Sequence, residues 1–206
     1  MTTTEVLPIR KRPKLKFKKS DIPAALIYET IHGRNIYFRN YADVLNGEKK
    51  IEDIMAVGYL QTIILNLMNG YLFSTFKEYT SLFGEVGIHV SKNNNLSCDL
   101  VVYPNEALEN HPPTRQYLDI PPKVVIEIDT NGDFTNESFF DYTVEKTRIL
   151  LQFGTEKVIW ILTKPKIAIV ATANAPWATH EWSMPIEIIT GHPLNLAELF
   201  KTRGIE

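Results

Sequence analysis

Three charged side chains stand in otherwise apolar stretches between residues 99 and 146. Asp99 begins the run DLVVYP, Glu127 lies within KVVIEID, and Lys146 lies within SFFDYTVEKTRILLQFG. Burying such charges is unfavourable unless they pair with one another or bind an ion. If the two carboxylates meet, their hard oxygen atoms suit Mg²⁺ or Mn²⁺ better than a soft metal.

The two carboxylates are predicted to lie on neighbouring strands. Side chains of a strand alternate between its two faces, so Glu127 shares a face with Asp129. In the same way, Asp99 shares a face with Val101 and Tyr103. If the strands pair in one sheet, Asp99 and Glu127 can face a single ion.

The lysine is predicted to lie on a helix over residues 137–153. Helical spacing places Lys146 in the middle of the apolar face, with Tyr142 and Leu150. A lysine there either extends to the surface or meets a carboxylate. We favour the carboxylate, because two nearby strands need a positive partner. Gly154 is expected to end the helix.

This order of aspartate strand, glutamate strand and helical lysine resembles the PD-(D/E)xK nuclease superfamily. More narrowly, it resembles the Uma2 family of restriction-endonuclease-like proteins, in which the lysine has moved to the helix. The resemblance covers residues 24–173 and matches Asp99, Glu127 and Lys146 to the three catalytic positions. It also takes in the segments LIYETI, FGEVGIHV and KVIWILT. Cys98 stands where the family usually has proline.

The resemblance implies an α/β fold of the restriction-endonuclease type, with a mixed central sheet flanked by helices. It also implies an endonuclease that hydrolyses phosphodiester bonds of DNA with Mg²⁺ or Mn²⁺, RNA being an alternative substrate. Asp99, Glu127 and the Ile128 carbonyl would bind the ion. Lys146 would stabilise developing negative charge or orient water. We expect its apolar setting to lower its pKa, partly offset by the carboxylates.

Two further carboxylates are secondary candidates. Glu85, on a strand predicted over residues 83–90, is a metal ligand or water-orienting group, or equally a surface or ion-paired glutamate. Asp129 either joins the metal shell or caps the following turn through a local hydrogen bond.

Other functions are weighed against the nuclease. The trio could be a buried ion pair that only fixes the fold. A catalytically inactive module that binds nucleic acid or protein on the same scaffold is the competing class. Glycine-rich phosphate loops and nucleophile elbows are absent, and the five histidines are dispersed without zinc spacing.

Composition predicts one domain over residues 21–206, preceded by a basic leader over residues 1–20. The chain has 206 residues, is 44% hydrophobic and carries a net charge of −2, which suits one globular domain. Seven of its 22 basic residues lie between positions 10 and 19. The leader is either a solvated segment or an arm that binds phosphates. The candidate phosphate contacts are Arg10, Lys11, Arg12 and Lys14.

Location and assembly are predicted only in outline. The single cysteine excludes an internal disulfide and a cysteine-based zinc site. We expect no membrane span and no secretory signal, and therefore a cytoplasmic protein. A homodimer is left open, since paired sites would suit cutting two strands.

The supporting elements follow from periodicity and turn residues. A hairpin is predicted from strands over residues 25–30 and 36–39. A long helix is predicted over residues 51–68, stopped by Asn69-Gly70. Residues 157–163 and 166–173 are predicted to form an antiparallel pair.

Overall fold

The computed structural model describes residues 18–128 and 139–205. The strands, in chain order, are β1 (Ile27–Ile31), β2 (Arg34–Tyr37), β3 (Tyr79–Ser91), β4 (Asn94–Pro104), β5 (Val124–Ile128), β6 (Lys157–Leu162), β7 (Ile167–Thr172), β8 (Ala178–Glu181), β9 (Ile186–Glu187) and β10 (Pro193–Leu194). The α-helices are α1 (Tyr41–Leu45), α2 (Glu52–Met55), α3 (Tyr59–Thr75), α4 (Asn105–Glu109), α5 (Phe139–Phe153) and α6 (Leu196–Lys201).

A mixed central sheet organises the described residues. Its strands run in the order β2-β1-β4-β5-β6-β7-β8, and β3 pairs with the remaining edge of β4. β5 and β6 are parallel, whereas the other pairs of this sheet are antiparallel. The predicted α/β fold with a mixed sheet is therefore confirmed. The hairpin of β1 and β2 and the pairing of β6 with β7 are confirmed as well.

Helices cover both faces of the sheet because its central strands are apolar on both sides. α3 and α6 pack on one face, where Val124, Ile126 and Ile128 of β5 point. α5 packs on the other face, where Val125 points. The predicted alternation of β5 is confirmed, and Glu127 consequently points towards the α5 layer.

The long helix predicted over residues 51–68 is wrong at both ends. Ala56 and Gly58 have extended backbones, which separate α2 from α3. α3 then continues through Asn69-Gly70, because Leu72 packs in the core and outweighs the roughly 1 kcal/mol that an interior glycine costs. The first turn of α3 thereby brings Gln61 to Asp99, while its middle packs on β4 and β5.

α5 agrees with its predicted pattern and ends before Gly154, whose φ of 120° suits glycine. Its buried residues include Tyr142, Lys146 and Leu150. Within the described ranges, we find no helix with the length and apolarity that crossing a bilayer requires.

Candidate active site

The candidate site lies in a gap along one edge of β4. β3 pairs with the opposite edge along the whole strand. On the near edge, β1 pairs at Asn95 and β5 pairs over Leu100–Val102. Between these contacts, no strand of the described residues pairs with this edge. Because buried backbone groups need partners, side chains must supply them.

Asp99 closes the β5 side of this gap. Its Oδ2 accepts a hydrogen bond from the backbone N–H of Ile128 at 2.6 Å, and its Oδ1 accepts one from Gln61 Nε2 at 2.7 Å. The side chain is 2% exposed. Asp99 thus binds the end of β5 in place of a strand backbone, and the predicted proximity of the two carboxylate strands is confirmed by their pairing.

Lys146 and Glu29 close the β1 side of the gap. Nζ of Lys146 donates to the Ser97 carbonyl at 2.7 Å and to Glu29 Oε1 at 2.6 Å. Glu29 Oε1 also accepts from the Ser97 N–H at 2.9 Å, and Glu29 Oε2 accepts from the Tyr142 hydroxyl at 2.8 Å. Lys146 has no exposed surface. The expectation that it turns inward to a carboxylate agrees with this geometry.

Glu127 is the least satisfied member of the group. Its Oε1 forms an ion pair with Nζ of Lys146 at 3.0 Å. Within the described part of the chain, neither carboxylate oxygen has a hydrogen-bond partner, although the side chain is 1% exposed. Glu127 is therefore a buried acceptor with unused lone pairs.

Glu85 lies on a β-bulge opposite Asp99. Gly84 and Glu85 stand together across from the single residue Asp99. Glu85 has a φ of 62°, which is strained for a residue with a side chain. Its Oε2 accepts a 2.5 Å hydrogen bond from the Ser97 hydroxyl. The bulge thus aims a secondary candidate at the same segment of β4.

Two residues that bind the predicted trio were not assigned from sequence. Glu29 is an acidic residue within the apolar run LIYETI, and that contrast was the available signal. Gln61 lies three and four residues before Ile64 and Leu65, on the buried stripe of α3, so its burial could have been read from spacing. What spacing could not reveal was the partner of each residue.

Charge and burial shift the pKa values of this group strongly. Burial raises the pKa of Glu127 well above its ordinary value, with Lys146 opposing the shift and Asp99 adding to it. For Lys146, burial alone lowers the pKa, but Glu127, Glu29 and Tyr142 together raise it well above the ordinary value. The expected net lowering of the Lys146 pKa is therefore wrong, because two carboxylates contact one ammonium group.

The remaining sequence candidates fall outside the described residues. Asp129 does so, and the leader contacts do too, namely Arg10, Lys11, Arg12 and Lys14. Cys98 is buried, and burial together with the charge of Glu127 raises its pKa, so it stays a neutral thiol.

The donor set fits a divalent cation by its charge. Glu29 and Glu127 both pair with the ammonium of Lys146, while the third buried carboxylate, that of Asp99, accepts from Gln61 and the Ile128 N–H. Within residues 18–128 and 139–205, no group of three His, Cys, Asp or Glu side chains converges as a metal shell. The described residues would thus supply at most two carboxylates to one metal ion. That the Ile128 carbonyl is a further ligand stays a prediction.

Asp99 is expected to make stability fall as the pH rises. Burial raises its pKa to about 7, the Ile128 hydrogen bond opposes the shift, and Glu85 adds to it. An unfolded aspartate titrates near pH ~3.9, so between the two values the folded chain holds the extra proton. In EDTA, the free energy of unfolding measured with urea should fall from pH 5 to pH 8 by about 2–3 kcal/mol more in wild type than in Asp99→Asn. A pH-independent difference would contradict the burial argument.

Comparison with known proteins finds a solved structure with a similar fold. No protein-family model matches the chain, and no curated protein matches its sequence. The chain is similar to the crystal structure of "a putative nuclease belonging to DUF820" from Anabaena variabilis ATCC 29413. That similarity has a TM-score of 0.59 and 15% sequence identity, and covers 84% of this chain and 89% of that one. The protein therefore has a nuclease-like fold: a mixed sheet, mostly antiparallel, flanked by helices.

Proposed function

We propose that the protein is a metal-dependent nuclease that hydrolyses phosphodiester bonds of nucleic acid. We expect DNA as its substrate, with RNA as the alternative. The observation that carries the proposal is the carboxylate of Glu127, which is buried beside Lys146 with no hydrogen bond from the described residues. Leaving a buried carboxylate in this state is unfavourable, and a bound cation would remove the penalty.

The chain's similarity in fold to a structure described as a "putative nuclease" supports the same activity. Membership of the Uma2 family, within the PD-(D/E)xK superfamily, is also a proposal. It is supported by the order of elements, since β4, β5 and α5 carry Asp99, Glu127 and Lys146 in the order that the family has.

The roles of the residues follow from their contacts. Asp99 and Glu127 would hold Mg²⁺ or Mn²⁺ together with the Ile128 carbonyl. A bound divalent ion supplies a water of lowered pKa and polarises the phosphate. Gln61 and the Ile128 N–H fix the orientation of Asp99. Lys146 is fully enclosed, so it contributes its positive charge to the site rather than a direct contact with the substrate.

The proposal predicts cleavage that depends on both a metal and the carboxylates. Purified protein would be incubated with duplex DNA, single-stranded DNA and RNA in Mg²⁺, Mn²⁺ or EDTA, alongside Asp99→Asn. We expect products with a divalent ion, none in EDTA, and an activity lower by at least about 100-fold in the variant. Calorimetric titration with Mn²⁺ would report metal binding independently. Cleavage that is equal in the variant and in EDTA would contradict the proposal.

A second candidate is a catalytically inactive module that binds nucleic acid or protein on the same scaffold. One observation favours it: Lys146 and Glu29 bind both backbone groups of Ser97 at the edge of β4 where no described strand pairs. The fold would need these contacts even if the protein catalysed no reaction. This candidate predicts a folded protein that binds its partner, takes up no Mn²⁺ and cleaves nothing.

A further inference from the structure

A cleft near the tip of the β3–β4 hairpin has no part in the site described above. Its volume is about 510 Å³, and polar and aromatic side chains line it. The lining residues are His89, Asn95, Arg115, Gln116, Tyr117 and Asp119. This combination of an aromatic ring, a cation and amide groups differs from an apolar packing defect.

Backbone pairing holds Tyr117 in place on one wall of the cleft. The N–H of Leu118 donates to the Gly87 carbonyl at 3.0 Å, and the N–H of His89 donates to the Leu118 carbonyl at 2.7 Å. A Cβ atom at Gly87 would lie 2.6 Å from the ring of Tyr117, so only glycine leaves room for it. Tyr117 is nevertheless 55% exposed. The ring therefore rests on β3 by one face and presents the rest of its surface to the solvent.

The cleft lies along the same β3–β4 ladder as the candidate active site but on its other face, because Ile88 and Leu96, which alternate with the cleft residues, point to the α5 layer. Gly87 pairs with Ser97, and His89 pairs with Asn95, and directly opposite residues share a face of a sheet. The backbone of Ser97 is the group that Glu29 and Lys146 bind. At a rise of about 3.4 Å per residue, Asn95 lies about 14 Å along β4 from Asp99.

The other walls of the cleft supply polar contacts. Nδ1 of His89 and Oδ1 of Asn95 are 2.6 Å apart, which fixes both side chains. Arg115 and Gln116 offer exposed donors, and Asp119 offers an acceptor. Proteins that bind single-stranded nucleic acid combine a stacking aromatic ring with cations near the backbone phosphates. A base within a duplex is already stacked on both faces and is not available to such a ring.

We propose that this cleft binds an unpaired nucleotide of the substrate strand, with its base stacked on Tyr117 and its phosphate near Arg115. The inference takes its ligand class from the proposed nuclease function, but it concerns binding and not cleavage. It makes the substrate a single strand, or a duplex with an unpaired end, in either DNA or RNA.

The test measures binding without cleavage. Fluorescence anisotropy of labelled single-stranded DNA, single-stranded RNA and blunt duplex would be recorded in EDTA. We expect a single strand to bind more tightly than the duplex, and Tyr117→Ala to weaken it about 10-fold, within the range for base–aromatic stacking. Tyr117→Phe should bind as wild type does. Arg115→Ala should reduce the slope of log affinity against log salt by about 1, the change expected when one phosphate contact is lost.

Two further variants keep the result specific. Phe73, which is 74% exposed on α3, is an aromatic residue away from the cleft, so Phe73→Ala should leave binding unchanged. Gly87→Ala should displace the ring of Tyr117 and reproduce Tyr117→Ala, with thermal melting confirming that both variants fold. Tighter binding of the duplex, or unchanged binding by Tyr117→Ala, would overturn the inference.

Cleavage assays separate this inference from the proposed function. If wild type cleaves in Mg²⁺ while Tyr117→Ala binds normally, nucleotide binding in the cleft is contradicted and the nuclease activity is supported. If Tyr117→Ala loses binding while wild type never cleaves, nucleotide binding in the cleft is supported and the nuclease activity is contradicted. Wild type that binds neither DNA nor RNA overturns the cleft as well.

Discussion

Glu127→Gln is expected to abolish nuclease activity while leaving the protein at least as stable. The substitution keeps the shape of the side chain but removes the negative charge that would bind the metal. We expect cleavage to fall by at least about 100-fold, as it does when a group that stabilises the transition state is removed. Cleavage rates with Mg²⁺ and Mn²⁺ would measure the loss of activity, and calorimetric titration with Mn²⁺ would measure the loss of metal binding.

Stability should not fall with activity, because Glu127 is poorly satisfied in the fold. Burial raises its pKa, and its oxygens have no hydrogen bond from the described residues. Lys146 would keep Glu29 as its partner. We therefore expect the free energy of unfolding of Glu127→Gln to lie within about 1 kcal/mol of wild type, or above it.

The control is a glutamate–lysine pair on the surface. Glu156 lies 2.7 Å from Lys123 and is largely exposed. Glu156→Gln makes the same chemical change away from the gap in β4, and should change neither cleavage nor Mn²⁺ binding. If Glu127→Gln lost activity no more than Glu156→Gln did, Glu127 would have no catalytic part. A large loss of stability in Glu127→Gln would instead favour the structural role.

Lys146→Met should destabilise the protein far more than Glu127→Gln does. It removes the cation from Glu29 and Glu127 and leaves the Ser97 carbonyl without its donor. Breaking a buried ion pair by removing one partner costs roughly 3–5 kcal/mol, because the other charge remains buried. Urea unfolding at pH 8 would measure the loss.

The pH dependence identifies the cause of that loss. At pH 5 the carboxylates that lost their cation can take up protons more easily, so the destabilisation should be smaller than at pH 8. Lys123→Met, which breaks the surface pair with Glu156, should cost at most about 1 kcal/mol. A Lys146→Met variant as mild as Lys123→Met would show that the ammonium group is not the partner of two buried carboxylates.

The local features of the site could be predicted from the sequence because they depend on period and residue type. Alternation in β5 placed Glu127 opposite Ile126 and Ile128, and helical spacing placed Lys146 on the apolar face of α5, as the packing confirms. The resemblance to the nuclease superfamily also predicted the mixed sheet. The boundaries of α3 were not predictable in this way, since core packing of Leu72 decided that Gly70 would stay helical.

Only the tertiary structure decided which charges meet. Glu29 is 117 residues from Lys146 along the chain, and Gln61 is 38 residues from Asp99. These contacts exist because β1 and β5 share one edge of β4 and leave a gap between them at Ser97, where no described strand pairs with that edge. A sequence specifies that buried charges need partners. Long-range strand pairing determines which partners are within reach, and no local period encodes that distance.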